Sequence, residues 1–269
     1  MSAPVTRHGA AVSNRFLRRA GSGAIVRKLV SKAVHERQLI VEGDRILVAA
    51  SGGKDSTVMA WALAGLKREL KINYELAALH ISGDFVATDF DAVDKKSALA
   101  SRFGEWGIPF TALEVPIMGR LKEGRRMNCY WCATQRRTEL IKYALENGFN
   151  KIALGHHLDD IIETYFMNMT AKGRLSAMPM YLAYRKYPLV LIRPLGYLEE
   201  RQIIACADEQ GFLKSTCTCP YSINSGRLEM RRRIAAFTGN SGAVKRRIFA
   251  ALSSGISGGP PEGEGDETD

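Results

Sequence analysis

Residues 46–70 read ILVAASGGKDSTVMAWALAGLKREL, and this one stretch decides the architecture. Ile46 to Ala50 is a short continuous apolar run, the pattern of a strand buried on both faces. Ser51-Gly52-Gly53 then makes a glycine turn, and beyond Lys54 the apolar residues fall at helical spacing. The order is strand, turn, helix.

The same unit recurs further along the chain. Glu75 to Ser82 and Phe110 to Ile117 read as strands, with the helical stretch DFDAVDKKSALASRFGEWG between them. TQRRTELIKYALENG reads as a helix that stops at Gly148, and KIALGHH as the strand after it. Pro188 to Gly196 adds a strand and LEERQIIACADEQG a helix. Such alternation predicts an α/β fold, a Rossmann-like parallel sheet with helices on both faces. Ligands of these sheets sit beyond the carboxyl ends of the strands, where Ser51–Ser56 and Gly155–Asp160 both fall.

The 269 residues, 46% hydrophobic and 25% charged, suffice for one sizeable core with appendages. We divide the chain into a basic helical segment over 1–40 that packs on the main domain, that domain over 41–215, a basic helical region over 216–252, and an acidic glycine-rich tail over 253–269. The tail has almost nothing to bury and is expected to be disordered. The opening MSAPVTRHGAAVSNRF lacks the apolar centre of a signal peptide, and no run approaches the roughly 18 apolar residues of a membrane span. A cytoplasmic protein with no membrane partner is expected.

The formal charge is +10, concentrated in Arg15, Arg18, Arg19, Arg27, Lys28, Lys32 and Arg37 and again in Arg227, Arg231, Arg232, Arg233, Lys245, Arg246 and Arg247. Either cluster alone is equally well a solvated helix face; two at opposite ends point towards RNA or DNA.

Ser51-Gly52-Gly53-Lys54-Asp55-Ser56 lies where glycines let amide N–H groups close around a phosphate, so it is expected to bind the phosphates of ATP. It lacks the four-residue spacer of the Walker A pattern; the alternative is a serine-glycine turn that merely caps a helix. In the second segment Gly155 permits close approach of the nucleotide, while Asp159 and Asp160 open a helix, where one of them can equally be a cap. His156 and His157 are adjacent and point apart, which favours a structural or nucleotide-lining role over a metal. His80, at the end of the second strand, either borders the adenine or is a satisfied core histidine.

Five cysteines in a reducing compartment are ligands, catalysts or core residues before they are disulfides. Cys129-Tyr-Trp-Cys132 alone is ambiguous between zinc, a redox dithiol and an iron–sulfur site. A zinc site would want a second CxxC or a histidine pair, whereas the later cysteines are Cys206, inside a helical pattern and read as core, and Cys217-Thr-Cys219. Two thiolates from one loop and one from a distant loop would leave a cluster with an open iron. A persulfide relay between cysteines is the rival reading.

SGGKDS (Ser51 to Ser56) resembles the PP-loop of the ATP pyrophosphatase superfamily, with its adenine nucleotide alpha hydrolase-like fold, and the longer segments EGDRILVAASGGKDS (Glu42 to Ser56), CYWCATQRR (Cys129 to Arg137), ALGHHLDDIIETYFMNM (Ala153 to Met169), GRLSAMP (Gly173 to Pro179) and IRPL (Ile192 to Leu195) carry a closer resemblance. Within it the chain resembles the tRNA 2-thiocytidine synthetase (TtcA) family and, more distantly, the TtuA-type tRNA 2-thiouridine synthetases. The resemblance implies ATP, Mg2+ and a [4Fe-4S] cluster held by Cys129, Cys132 and one later cysteine. It also implies a tRNA pyrimidine, cytidine 32 in the TtcA case, adenylated at its C2 oxygen and then thiolated. Lys54 would neutralise the pyrophosphate and Asp55 would hold magnesium or orient the leaving group, with Asp159, Asp160 and Arg136 completing the catalytic set. The nucleotide would be bound by Ser51, Gly52, Gly53, Ser56, His80, Gly155 and His156. Arg136 and Arg137 would hold the target phosphate or the ATP, unless they are surface helix charges.

The chain departs from the TtcA pattern at the third ligand. It carries Cys217-Thr-Cys219-Pro-Tyr-Ser, similar to the TtuA-type Cys-Pro-Tyr-Ser, so Cys219 is the expected ligand and Cys217 the alternate. The terminal zinc-binding clusters of the TtuA type are missing, which favours TtcA. The partners implied are tRNA, a sulfur donor such as a cysteine desulfurase, and a second copy in a homodimer. A lysidine-synthetase-like enzyme, needing no thiol ligands, and a cluster-bearing regulator are the competing classes.

Overall fold

The computed structural model describes residues 21–69, 72–84, 89–212 and 226–255. In chain order the elements are α1 (Ser22–Glu36), β1 (Arg45–Ala49), α2 (Lys54–Glu69), β2 (Glu75–Gly83), α3 (Asp89–Glu105), β3 (Phe110–Val115) and α4 (Cys129–Glu146). Then follow β4 (Lys151–Ala153), α5 (Leu158–Lys172), β5 (Tyr181–Ala183), β6 (Val190–Ile192), α6 (Glu200–Glu209), α7 (Gly226–Thr238) and α8 (Gly242–Gly255).

The strands form one sheet in the order β3-β2-β1-β4-β6-β5. All neighbours are parallel except β5, which pairs antiparallel with β6. The chain winds outward from β1 through β2 to β3, then returns to lay β4 on the other side of β1. The β1/β4 boundary is therefore the topological switch point, where the loops after the two strands diverge and leave a crevice.

Alternation along each strand distributes side chains between two cores. Ile46, Val48, Ala153 and Ile192 face one core, shared with Val26 and Val30 of α1, Met59 and Leu63 of α2, Phe103 of α3 and Ile203 and Cys206 of α6. Leu47, Ile152 and Leu191 face the other, covered by Leu140 and Ala144 of α4. Helices thus lie on both faces, as the alternating sequence requires, with α1, α2, α3 and α6 on one and α4 on the other. A third cluster joins Leu158 and Ile162 of α5 to Met230 and Ile234 of α7. Val26 and Val30 of α1 are fully buried, so this helix packs on the sheet domain, while residues 1–20 of the basic segment lie outside the described residues.

Two features differ from the sequence reading. β5 is an additional edge strand; with three residues, two of them exposed, it carries too short a pattern to read. The CxxC pair was expected on a loop, and it forms the first turn of α4. Asn128 sets this start: its side chain accepts from Trp131 N at 2.8 Å, satisfying one of the orphan amides of a helix N-terminus.

Candidate nucleotide and thiol site

β1 ends at Ala49 and α2 starts at Lys54, so only four residues turn the chain. Gly52 takes φ +82°, a conformation a side chain would resist. Ser51 Oγ lies 3.0 Å from Ser56 Oγ, and Thr57 Oγ1 donates to Gly53 O at 3.0 Å. The loop is therefore braced from within. Its Lys54 and Asp55 stand in the first turn of α2, where the helix dipole favours an anion.

The loop after β4 meets this turn directly. A Cβ on Gly155 would come 3.0 Å from Ser56 N and 3.2 Å from the Asp55 carbonyl carbon. The close approach that requires glycine here is backbone on backbone, and it fixes the width of the crevice. His156 Nδ1 accepts from Arg193 Nε at 3.4 Å. Burial, reinforced by the Arg193 charge, pushes the His156 pKa down to about 4, so the ring is neutral at pH 7. Arg193 also donates to Pro179 O at 2.5 Å, so three separate motifs, GHH, GRLSAMP and IRPL, converge on one guanidinium.

The two aspartates divide. Asp160 caps its own helix, accepting from His157 N at 3.1 Å, and pairs with Arg227 at 3.3 Å. Asp159 accepts from Lys245 Nζ at 2.6 Å and from Glu200 N at 2.8 Å. Burial works against its charge, yet those two donors hold its pKa below the ordinary aspartate range.

Lys54 is engaged on both sides, 3.2 Å from Asp55 Oδ1 and 3.0 Å from Glu200 Oε1. Burial disfavours its charge, but the two carboxylates outweigh it and raise its pKa. Asp55 Oδ1 is buried and accepts no hydrogen bond, and the Lys54 ammonium 3.2 Å away is its charged neighbour. Glu200 Oε2 continues to Arg231 at 3.2 Å, and Arg231 Nε reaches the buried Glu163 at 2.6 Å.

Sequence reasoning missed this ion network of Glu200, Glu163, Arg231 and Lys245. It also did not foresee that much of the late basic cluster is engaged in internal ion pairs. Arg227, Arg231, Lys245 and Arg246 are each paired with a carboxylate of the nucleotide-loop helices or of Glu199, and Arg233 with Glu229. The pairs of Arg227, Arg231, Lys245 and Arg246 hold α7 and α8 on α5 and the start of α6, while Arg233–Glu229 lies within α7, so the count of basic residues overstated what that cluster offers a polyanion.

His80 Nδ1 lies 2.7 Å from Ala50 O; a carbonyl only accepts, so Nδ1 carries the proton and Nε2 is the acceptor. Burial lowers its pKa, the bond to Ala50 opposes this, and the charges of Arg136 and Lys96 lower it further. Arg136 is thereby within electrostatic reach of the β1 loop, and its Nε is buried without a hydrogen bond.

α4 connects parallel strands, so it runs antiparallel to them and its first turn lies at their carboxyl edge, the edge that also carries the β1 loop. Cys129 is exposed and Cys132 half-buried against the second core. Thiols at positions i and i+3 share one side of a helix, and a helix N-terminus favours thiolates. This turn fits two ligands of a thiolate-bound cluster. Cys217 and Cys219, expected to supply the third, lie outside the described residues. Cys206 is fully buried in α6, and burial pushes its thiol up to about 11, the state of an inert core cysteine.

A glycine loop at the switch point of a parallel sheet defines a nucleotide-binding α/β protein of the PP-loop class, and the family described as PP-loop domain matches residues 25–215. The chain is 34% identical over 233 residues to the tRNA-cytidine(32) 2-sulfurtransferase of Dichelobacter nodosus, covering 85% of each chain. It is 35% identical over 232 residues to the protein of that name from Geobacter sulfurreducens, covering 84% of this chain and 88% of the relative. The chain therefore belongs to the PP-loop domain family and, within it, to that of the tRNA-cytidine(32) 2-sulfurtransferases. Its fold is similar to that of the U34-tRNA thiolase NcsA from Methanococcus maripaludis, solved with its [4Fe-4S] cluster. The TM-score is 0.73 at 23% identity, over 88% of this chain and 80% of that one. Among the described residues no helix is long and apolar enough to cross a membrane.

Proposed function

We propose that this protein thiolates a tRNA pyrimidine at C2, cytidine 32 by family membership, consuming ATP to AMP and pyrophosphate. One observation supports the reading: the Ser51–Ser56 loop and the CxxC turn of α4 share the carboxyl edge of the sheet, the edge at which nucleotide and thiol chemistry would meet. When bound, ATP supplies the AMP group that makes the base oxygen a good leaving group, and a [4Fe-4S] cluster would carry the incoming sulfide, which a persulfide donor yields only with two electrons from an added thiol or other reductant.

The chain's own residues prepare this chemistry. The braced loop presents its amides and the α2 N-terminus to the phosphates, and Lys54 exchanges Glu200 for the departing pyrophosphate. Among the described residues no three His, Cys, Asp or Glu side chains group as a ready metal site. Mg2+ would be held by Asp55 together with nucleotide phosphates. His80 and His156, kept neutral by burial, would line the crevice as uncharged rings beside the nucleotide. Asp159 and Asp160 act chiefly by fixing the helices that frame the crevice, and Arg136 stabilises negative charge between the two centres. Cys129 and Cys132 are cluster ligands, joined by Cys219 or its alternate Cys217. Sulfur comes from a donor such as a cysteine desulfurase, the setting is the cytoplasm, and the homodimer expected from the sequence is tested by sizing in solution.

The test is nucleoside analysis of tRNA incubated with anaerobically prepared protein, ATP and a sulfide source. The reading requires ATP-dependent 2-thiocytidine; 2-thiouridine instead would move the chain to the sister activity, and a lysine adduct without sulfur would overturn it.

A further inference from the structure

The +10 charge leaves a question of where the uncommitted part lies, since the late basic cluster is engaged in internal ion pairs. The loop that enters the CxxC helix behaves differently. It reads Gly119-Arg-Leu-Lys-Glu-Gly-Arg-Arg126, and only Arg120 turns inward, to Glu139 at 2.6 Å and Gln135 at 3.3 Å. Lys122, Arg125 and Arg126 are exposed, and among the described residues no carboxylate pairs with them. The loop is nonetheless ordered at its base, where the Asp84 carboxylate accepts from Met118 N at 2.7 Å and Gly119 N at 3.1 Å.

Between the two thiols stands Tyr130, a ring that is 76% exposed. Its exposure is built in. The neighbouring Trp131 is fixed by the Asn128 cap and by donating Nε1 to Ile117 O at 3.2 Å, and Cys132 N donates to Asn128 O at 3.1 Å. With those neighbours fixed inward, the turn holds Tyr130 outward on a rigid support. An aromatic face beside unpaired cations is what single-stranded RNA recognises: bases stack on the ring while phosphates meet Lys and Arg. Duplex RNA keeps its bases stacked on each other and offers nothing to the ring.

We propose that Tyr130 stacks on an unpaired base of an RNA loop while Lys122, Arg125 and Arg126 hold its phosphates, so that the lip of the CxxC turn is the docking surface for the loop carrying the target. The inference rests on the tRNA-modifying function above and names the surface that such a function uses.

The experiment measures binding of a labelled anticodon stem-loop RNA, and of a blunt duplex RNA of equal length, to the full chain prepared anaerobically with its cofactor. Tyr130→Ala is expected to weaken stem-loop binding by roughly five- to a hundredfold, the range for loss of one base–aromatic stack, and to leave duplex binding unchanged. Tyr130→Phe keeps the π-face and is expected to bind within about twofold of the parent. Arg125→Ala with Arg126→Ala weakens both RNAs and flattens the dependence of log affinity on log salt by about 0.7 for each phosphate that the two arginines neutralise. Equal stem-loop binding by Tyr130→Ala and the parent overturns the proposal, as does an equal loss in Tyr130→Phe, or a change in self-association alone. Matching thermal midpoints and cofactor spectra establish that the variants fold. If binding depends on Tyr130 but no thionucleoside forms, the reaction assignment fails and the surface stands; if thiolation proceeds with Tyr130-independent binding, the reverse holds.

Discussion

Lys54 Nζ lies 3.0 Å from Glu200 Oε1, so the loop lysine is held by a carboxylate of α6 where the proposed function needs it to meet a phosphate. On the proposed function ATP displaces that carboxylate, and Arg231, 3.2 Å from the other oxygen, is positioned to keep it. Glu200→Gln removes the competing charge and is expected to lower the KM for ATP by about two- to fivefold, a modest effect because the pair is partly solvated. Lys54→Ala should lower kcat by about a hundredfold or more while moving Tm by less than ~2 °C, since Glu200 retains Arg231. Steady-state pyrophosphate release and thermal melts check both.

Gly155→Ala tests the contact between the two loops. The added methyl meets backbone atoms of Asp55 and Ser56, which cannot rotate away, at 3.2 and 3.0 Å. Separation of the loops is expected to cost about 1–3 kcal/mol of stability and at least about tenfold in ATP affinity. Denaturant titration and nucleotide titration measure these independently.

His156 sets a dependence on pH. Its folded pKa, about 4, lies below the ordinary value of 6.5, with Arg193, Asp160, Arg227 and His157 around it. The unfolded chain therefore binds a proton that the folded chain refuses, and stability is lost as pH falls from about 6.5 towards 4. Relative to His156→Gln, the parent should lose on the order of 2 kcal/mol between pH 7 and 5. Denaturant midpoints at the two pH values give the difference.

Beneath the sheet, Lys151 Nζ donates to Asp44 Oδ2 at 2.6 Å and to Leu39 O at 2.9 Å, with both side chains nearly inaccessible. Asp44 also accepts from Val41 N and Asn150 Nδ2, at 2.6 and 3.0 Å. Asp44→Ala strands a buried ammonium and is expected to cost about 3–5 kcal/mol. A loss below about 1 kcal/mol in equilibrium unfolding would contradict a buried, uncompensated lysine.

The sequence displayed what depends on local pattern. Ile46 to Ala50 and the amphipathic residues after Lys54 place strand, turn and helix without reference to the rest of the chain, and strand alternation follows from repetition of that unit. The start of α4 was hidden because Cys129, Tyr130 and Trp131 have no helical period; Asn128, three residues before Trp131, was the available signal. The Lys54–Glu200–Arg231 network spans most of the chain and follows from tertiary packing alone. For the same reason a count of arginines in α7 could not reveal that their charges face Asp160, Glu163 and Glu200.

The most direct test of the central claim, that ATP and thiol chemistry meet in one crevice, is the thionucleoside content of tRNA from a strain lacking this protein and complemented with variants. Loss of 2-thiocytidine in that strain, its return with the parent chain, and no return with Cys129→Ala, Cys132→Ala or Asp55→Ala is the predicted result. Unchanged 2-thiocytidine in the deletion strain, or full restoration by the cysteine variants, would contradict it.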